Sequence, residues 1–161
     1  MTPETTSRTI VVGYDESPAA HAAVEYAIDR AGPDGRVVLV HAYRVPSDHV
    51  GASYYNELLA DASQYATGVL DRLEHDCERL GTVAYDRDIT VGSAATVIIG
   101  AAESREADEI VVGSRGVGRV RALMGSVAYD VIHRARCPVT VIPEHMVELK
   151  TRTPAAAAAT V

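Results

Sequence analysis

Short runs of consecutive apolar residues alternate along this chain with longer stretches whose apolar positions recur every three to four residues. Thr9-Ile10-Val11-Val12-Gly13, Arg36-Val37-Val38-Leu39-Val40-His41-Ala42, Glu109-Ile110-Val111-Val112-Gly113 and Pro138-Val139-Thr140-Val141-Ile142 are β-branched and nearly continuous. That is the pattern of strands buried on both faces. Val83 to Ile89 is a weaker run broken by charges, which assigns it to a sheet edge. Between the runs, three apolar stripes have helical spacing: Ala20, Ala23, Val24, Ala27, Ile28 and Ala31; Leu59, Ala62, Ala66, Val69, Leu70, Leu73 and Cys77; and Ala94, Val97, Ile98, Ala101 and Ala102. A fourth helix is predicted over 126–134. Ser17-Pro18, Ser93 and Ser126 stand at helix starts, where a hydroxyl can accept from an orphan N–H and proline fits the first turn.

Strands alternating with helices require right-handed crossovers, so the predicted fold is α/β: a doubly wound, open, five-stranded parallel sheet with helices on both faces. Residues 1–8 read as a polar arm and 9–147 as one domain. Residues 148–161, with five consecutive alanines from Ala155, read as a disordered tail. In such a sheet the ligand crevice lies at the carboxyl ends of the strands, where the winding reverses. If the first strand is central and the chain winds outward before crossing back, the first and fourth strands are neighbours at that reversal. The loops Gly13-Tyr14-Asp15-Glu16-Ser17 and Gly113-Ser114-Arg115-Gly116 then face each other.

Composition narrows the chemistry. The 161 residues carry 15 basic and 22 acidic side chains, a net charge of -7, which argues against general nucleic-acid binding, since that affinity comes from Lys and Arg on phosphates. No run approaches the ~18 apolar residues that span a membrane, and the polar N-terminus shows no leader pattern. Two cysteines, Cys77 and Cys137, make a disulfide framework improbable. These features predict a cytoplasmic protein. The six histidines show no metal-ligand spacing.

The segment from Gly113 to Ser126 runs from a strand through a glycine- and arginine-rich loop to a Gly125-Ser126 pair at a helix start. Glycines let backbone N–H groups approach an anion, and a helix N-terminus adds partial positive charge, the combination that holds phosphate. Familiar fingerprints do not fit. The residues after Gly118 are Arg119-Val120, without the lysine and hydroxyl of a P-loop, so efficient phosphoryl transfer is not expected. The first strand lacks GxGxxG, which argues against a dinucleotide-dependent oxidoreductase. Carboxylates do not cluster at several strand ends as in a signalling receiver.

From Ile10-Val11-Val12-Gly13-Tyr14-Asp15-Glu16-Ser17 through Gly125-Ser126-Val127-Ala128 to Cys137-Pro138-Val139-Thr140-Val141-Ile142, the chain resembles single-domain universal stress proteins. The resemblance implies strand order 3-2-1-4-5, homodimerisation through the last strand around Val139 and Val141, and, in one subgroup, binding of ATP, with or without magnesium. That subgroup carries G-x2-G-x9-G-[ST]. Gly113, Gly116, Gly125 and Ser126 align with it, but eight residues separate Gly116 from Gly125, one short of the pattern. By the same resemblance Gly13, Tyr14 and Asp15 line the ribose or adenine side and Ala42 offers backbone groups to the base. Val112 then lies beneath the base, Arg115 pairs with phosphate, and the turn Gly125-Ser126-Val127 receives the phosphates. Three readings stay open: a dimeric ATP-binding stress protein, a cyclic-nucleotide binder, and an interaction module of the same fold without nucleotide. Enzymatic activity, beyond slow hydrolysis or self-phosphorylation, is not expected.

Overall fold

A computed structural model describes residues 7–45, 52–115 and 124–143. Among these, five strands form one sheet: β1 (Thr9–Gly13), β2 (Arg36–Tyr43), β3 (Ala84–Val91), β4 (Glu109–Gly113) and β5 (Val139–Ile142). The order is β3-β2-β1-β4-β5 and every pairing is parallel. The helices are α1 (Pro18–Ala31), α2 (Ala52–Asp76), α3 (Ala94–Ser104) and α4 (Ser126–Arg134), with a 3-10 turn at Glu78–Thr82 after α2.

Alternation along the strands sorts the core into two layers. Ile10, Val12, Val37 and Leu39 belong to one apolar cluster with α1 and α2, whereas Val11, Val38, Val40, Ile110 and Val112 belong to another with α3 and α4. Helices therefore cover both faces, and central β1 is fully buried from Ile10 to Val12. The charged run is indeed an edge, as β3. Its Asp86 pairs with Arg36 at 2.7 Å, its Arg87 with Asp71 on α2 at 2.9 Å, and its Asp88 with Arg105 at 2.9 Å. The first pair is exposed and the other two are partly buried; pairs still reached by solvent add little stability each, but they fit an edge strand that lacks a fully apolar face. At the opposite end of the sheet from the strand C-termini, Glu109 is buried, accepting from Arg30 of α1 at 2.9 Å and from the Thr140 hydroxyl of β5.

Three local expectations are corrected. The buried positions of α3 are Ala95, Ile98, Ile99, Ala101 and Ala102, so Ala95 and Ile99 replace Ala94 and Val97. Between Ala94 and Ala102 only Thr96 and Gly100 interrupt the apolar sequence, and periodicity alone cannot choose the stripe. Ser93 holds the N-cap position of α3, yet its side chain makes no capping bond. Ser126 is the first residue of α4 rather than its cap, because the extended backbone of Gly125 occupies the N-cap position.

Candidate functional site

Parallel strands point their carboxyl ends the same way, and here β1 and β4 lie side by side while their chains depart to opposite faces, the reversal point at which such sheets bind ligands. A cleft of ≈ 520 Å³ opens at this point. Gly13, Tyr14, Asp15, Ala42, Val112, Gly113, Arg115, Gly125, Ser126 and Val127 all line it. Gly116 and the rest of the short spacer, 116–123, lie outside the described residues.

The first wall is the turn between β1 and α1. Pro18 begins the helix, and the Ser17 hydroxyl accepts from the Ala20 N–H at 3.1 Å, as a cap should. The same hydroxyl donates to the Arg115 carbonyl at 3.4 Å, so one buried side chain caps a helix and ties the two site loops together. The Asp15 carboxylate accepts from the Ser17 N–H at 3.1 Å through Oδ1, an Asx turn that aims the chain into the helix. Its turn-forming role is thus real, and it stands beside the cleft as well.

Tyr14 meets the cleft differently from its neighbours. Its ring belongs to the α1/α2 layer and is buried, with the hydroxyl 2.9 Å from Nε2 of His21. Its main chain is fixed on both sides: the N–H donates to Val40 at 2.9 Å, and the carbonyl accepts from Nδ1 of His41 at 2.8 Å. Burial first, then the nearby Glu16 and Asp15 carboxylates, push the phenol well above its ordinary value. Tyr14 therefore offers the cleft backbone, and its side chain anchors the turn from behind.

The second wall is the start of α4. Ser114 links it to the sheet, since its N–H donates to Ile142 and its carbonyl accepts from the Gly125 N–H, both at 2.8 Å. With glycine at the N-cap there is no side-chain capping bond. The N–H groups of Ser126, Val127 and Ala128 have no acceptor within the helix, as at any helix start. They lie at the positive end of the helix dipole, and all three residues line the cleft.

Between the walls lies an apolar floor of Val40, Ala42, Ala94, Ile98, Val112 and Ala128. Sequence reading missed Val40, Ala94, Ile98, Met124 and Ala128. The signal for Val40 was present, because Val40 and Ala42 share a face of β2 by period two; the α3 and α4 residues depend on how helix ends dock over the sheet. Two glycines have packing reasons of their own. A Cβ on Gly13 would sit 2.6 Å from Cδ1 of Ile98, and one on Gly113 would sit 2.9 Å from Cβ of Ala19 and 3.2 Å from the Ala20 nitrogen. Both permit helices to approach the strand ends that frame the cleft.

Burial raises both cysteine thiols, Cys77 also by its bond to Glu25, which disfavours the reactive thiolate. Among the described residues no three His, Cys, Asp or Glu side chains are grouped to hold a metal ion, and no helix is long and apolar enough to cross a membrane. Asp15 is the one carboxylate among the described residues lining the cleft.

Comparison with known proteins places this architecture. The model of the universal stress protein family matches residues 6–143. A universal stress protein of Thermus aquaticus is 33% identical over 138 residues, spanning 84% of this chain and 98% of its own. The solved structure of universal stress protein UspA from Lactobacillus plantarum shares the fold with a TM-score of 0.71 at 24% identity, covering 84% of this chain and 97% of its own. A universal stress protein solved in complex with cAMP gives a TM-score of 0.61 at 25% identity, over 84% of this chain and 96% of its own.

Proposed function

The chain belongs to the universal stress protein family, and from that premise we propose that its cleft binds an adenine nucleotide, ATP foremost, in a cytoplasmic homodimer whose affinity for partners follows the bound ligand. One observation carries the reading: a helix start without a side-chain cap and an apolar floor open onto the same ≈ 520 Å³ cleft. An adenine base needs the floor and a phosphate needs the helix start. In this reading the base rests on Val112 and Ile98 with Ala42 beside its edge, and Asp15 meets the ribose. The phosphates lie against Gly125, Ser126 and Val127, with Arg115 alongside. A magnesium ion would arrive with the triphosphate and take most of its ligands from phosphate and water, with Asp15 as the carboxylate that lines the cleft among the described residues. It would neutralise phosphate charge.

The dimer is proposed to form along β5. Val139, Thr140 and Val141 are only partly buried, and among the described residues β5 has one strand neighbour, β4, which leaves an edge for a second copy. A cyclic nucleotide is the second reading, favoured by the cAMP complex of the relative at 25% identity.

Calorimetry on nucleotide-stripped protein with ATP, AMP and cAMP tests the proposal, with Gly116→Val and Asp15→Ala as comparisons. ATP should bind and both variants should weaken it; no heat at millimolar ATP refutes the reading and leaves the nucleotide-free interaction module. Tighter binding of cAMP than of ATP would decide for the second reading. Sedimentation at micromolar protein should give twice the chain mass, and a monomer would refute the dimer.

A further inference from the structure

Glu16 stands in the left-handed region, at φ 64, a conformation that costs an L-residue with a side chain and that glycine adopts freely. It occupies the middle of the turn between Asp15, which lines the cleft, and Ser17, which joins both site loops. Within the turn the Asp15 carboxylate accepts from the Ser17 N–H at 3.1 Å. A second restraint, on Glu16 itself, comes from α2: Arg72 donates to Oε1 of Glu16 from Nε at 3.0 Å and from Nη2 at 2.7 Å. Tyr65, also on α2, donates to Oε2 of Glu16 at 3.5 Å, and the Arg72 guanidinium lies 5.7 Å above the Tyr65 ring. The stack orients the planar guanidinium, and the two N–H groups converge on one oxygen. Neither Arg72 nor Tyr65 lines the cleft.

We infer that Arg72 is a positioning residue for the nucleotide site: with Tyr65 it grips the Glu16 carboxylate and holds the β1–α1 turn in the left-handed conformation that presents Asp15 and Ser17 to the ligand. The inference rests on the nucleotide reading for its ligand and on the described geometry for its mechanism. Without the grip, Glu16 relaxes toward negative φ, which swings the Asp15 peptide and breaks the Asx turn.

A two-residue cycle tests it. Arg72→Gln should weaken ATP binding about fivefold, the lower end of the range that a left-handed residue's cost implies. Glu16→Gly needs no clamp, because glycine holds the turn unaided, so Arg72→Gln made in the Glu16→Gly background should change affinity less than twofold from that background. An effect of Arg72 that bypasses Glu16 would persist in the Glu16→Gly background, and the urea midpoint of Arg72→Gln should fall by no more than an exposed ion pair contributes. Wild-type affinity in Arg72→Gln, or an equal loss in both backgrounds, overturns the inference. Exchange of the Ser17 amide hydrogen, read without ligand, separates the clamp from the nucleotide reading. It should speed up in Arg72→Gln even if wild-type protein binds no ATP, and unchanged exchange overturns the clamp by itself.

Discussion

Alanine at Gly13 and alanine at Gly113 should have opposite consequences, although both glycines end central strands and both face a helix. Neither has a positive φ, so alanine fits the backbone and, by restricting the unfolded chain, contributes ~0.4–1 kcal/mol at each site. The difference lies in what the new methyl meets. At Gly113 it meets Cβ and main-chain atoms of Ala19 and the nitrogen of Ala20, at 2.9 to 3.2 Å. These atoms belong to the first turn of α1, already pinned by the Ser17 cap, so the helix must move as a body. Overpacking of this kind costs ~1–3 kcal/mol. After the entropic offset the net loss is about 1–2 kcal/mol, or roughly 2–8 °C in melting temperature for a chain of this length. At Gly13 the shortest contact is 2.6 Å to Cδ1 of Ile98, the free end of a side chain, with Cγ1 of Val112 next at 3.2 Å. Turning the Ile98 side chain costs ~0.5–1.5 kcal/mol, which the offset nearly cancels. Ile98 is part of the cleft floor, so Gly13→Ala should leave the fold stable and weaken adenine-nucleotide binding. Urea titrations followed by circular dichroism, with calorimetric titration of ATP, measure both quantities. A Gly13→Ala variant that loses as much stability as Gly113→Ala would refute the packing argument.

Ser17→Ala should cost ~1 kcal/mol from the lost cap, and it should weaken nucleotide binding further because the bond to Arg115 goes with it; denaturant midpoints and ATP titration measure the two effects. Tyr14→Phe should flatten the alkaline limb of stability. The buried phenol stays protonated in the fold while the unfolded chain releases its proton above pH ~10, so wild-type stability should fall more steeply there than that of the variant. Equal slopes in denaturation at pH 9 to 11 would contradict that assignment.

Strands and helix ends were legible wherever strong local signals agreed. β1, β4 and α4 have the limits read from the chain, because β-branched runs stop at Gly13 and Gly113 and the last helix pattern begins at Ser126. The long apolar stretch of α3 was ambiguous for the opposite reason, since nearly every residue qualifies for burial. At the cleft, most lining loop residues and the floor residues Ala42 and Val112 were legible, and the rest of the floor was not. Ala94, Ile98 and Ala128 reach the cleft only through the docking of helices that sequence spacing does not describe, and Met124 lies just ahead of the α4 N-cap. Gly13 and Gly113 were read only as ligand-facing residues, whereas the close approach of Ile98 and Ala19 gives each a packing reason as well. Glu16 gave no local sign of its left-handed backbone; its partner Arg72 lies 56 positions away.

The Ser17 hydroxyl bond to the Arg115 carbonyl spans 98 positions of chain, and β1 finds β4 across a similar gap, Ile10 beside Glu109. Without the C-terminal third, β1 would lack its β4 neighbour and the cleft would have a single wall. The cleft therefore exists only where segments about a hundred positions apart have paired, and a ligand that needs both walls binds the assembled structure and stabilises it in proportion to its affinity.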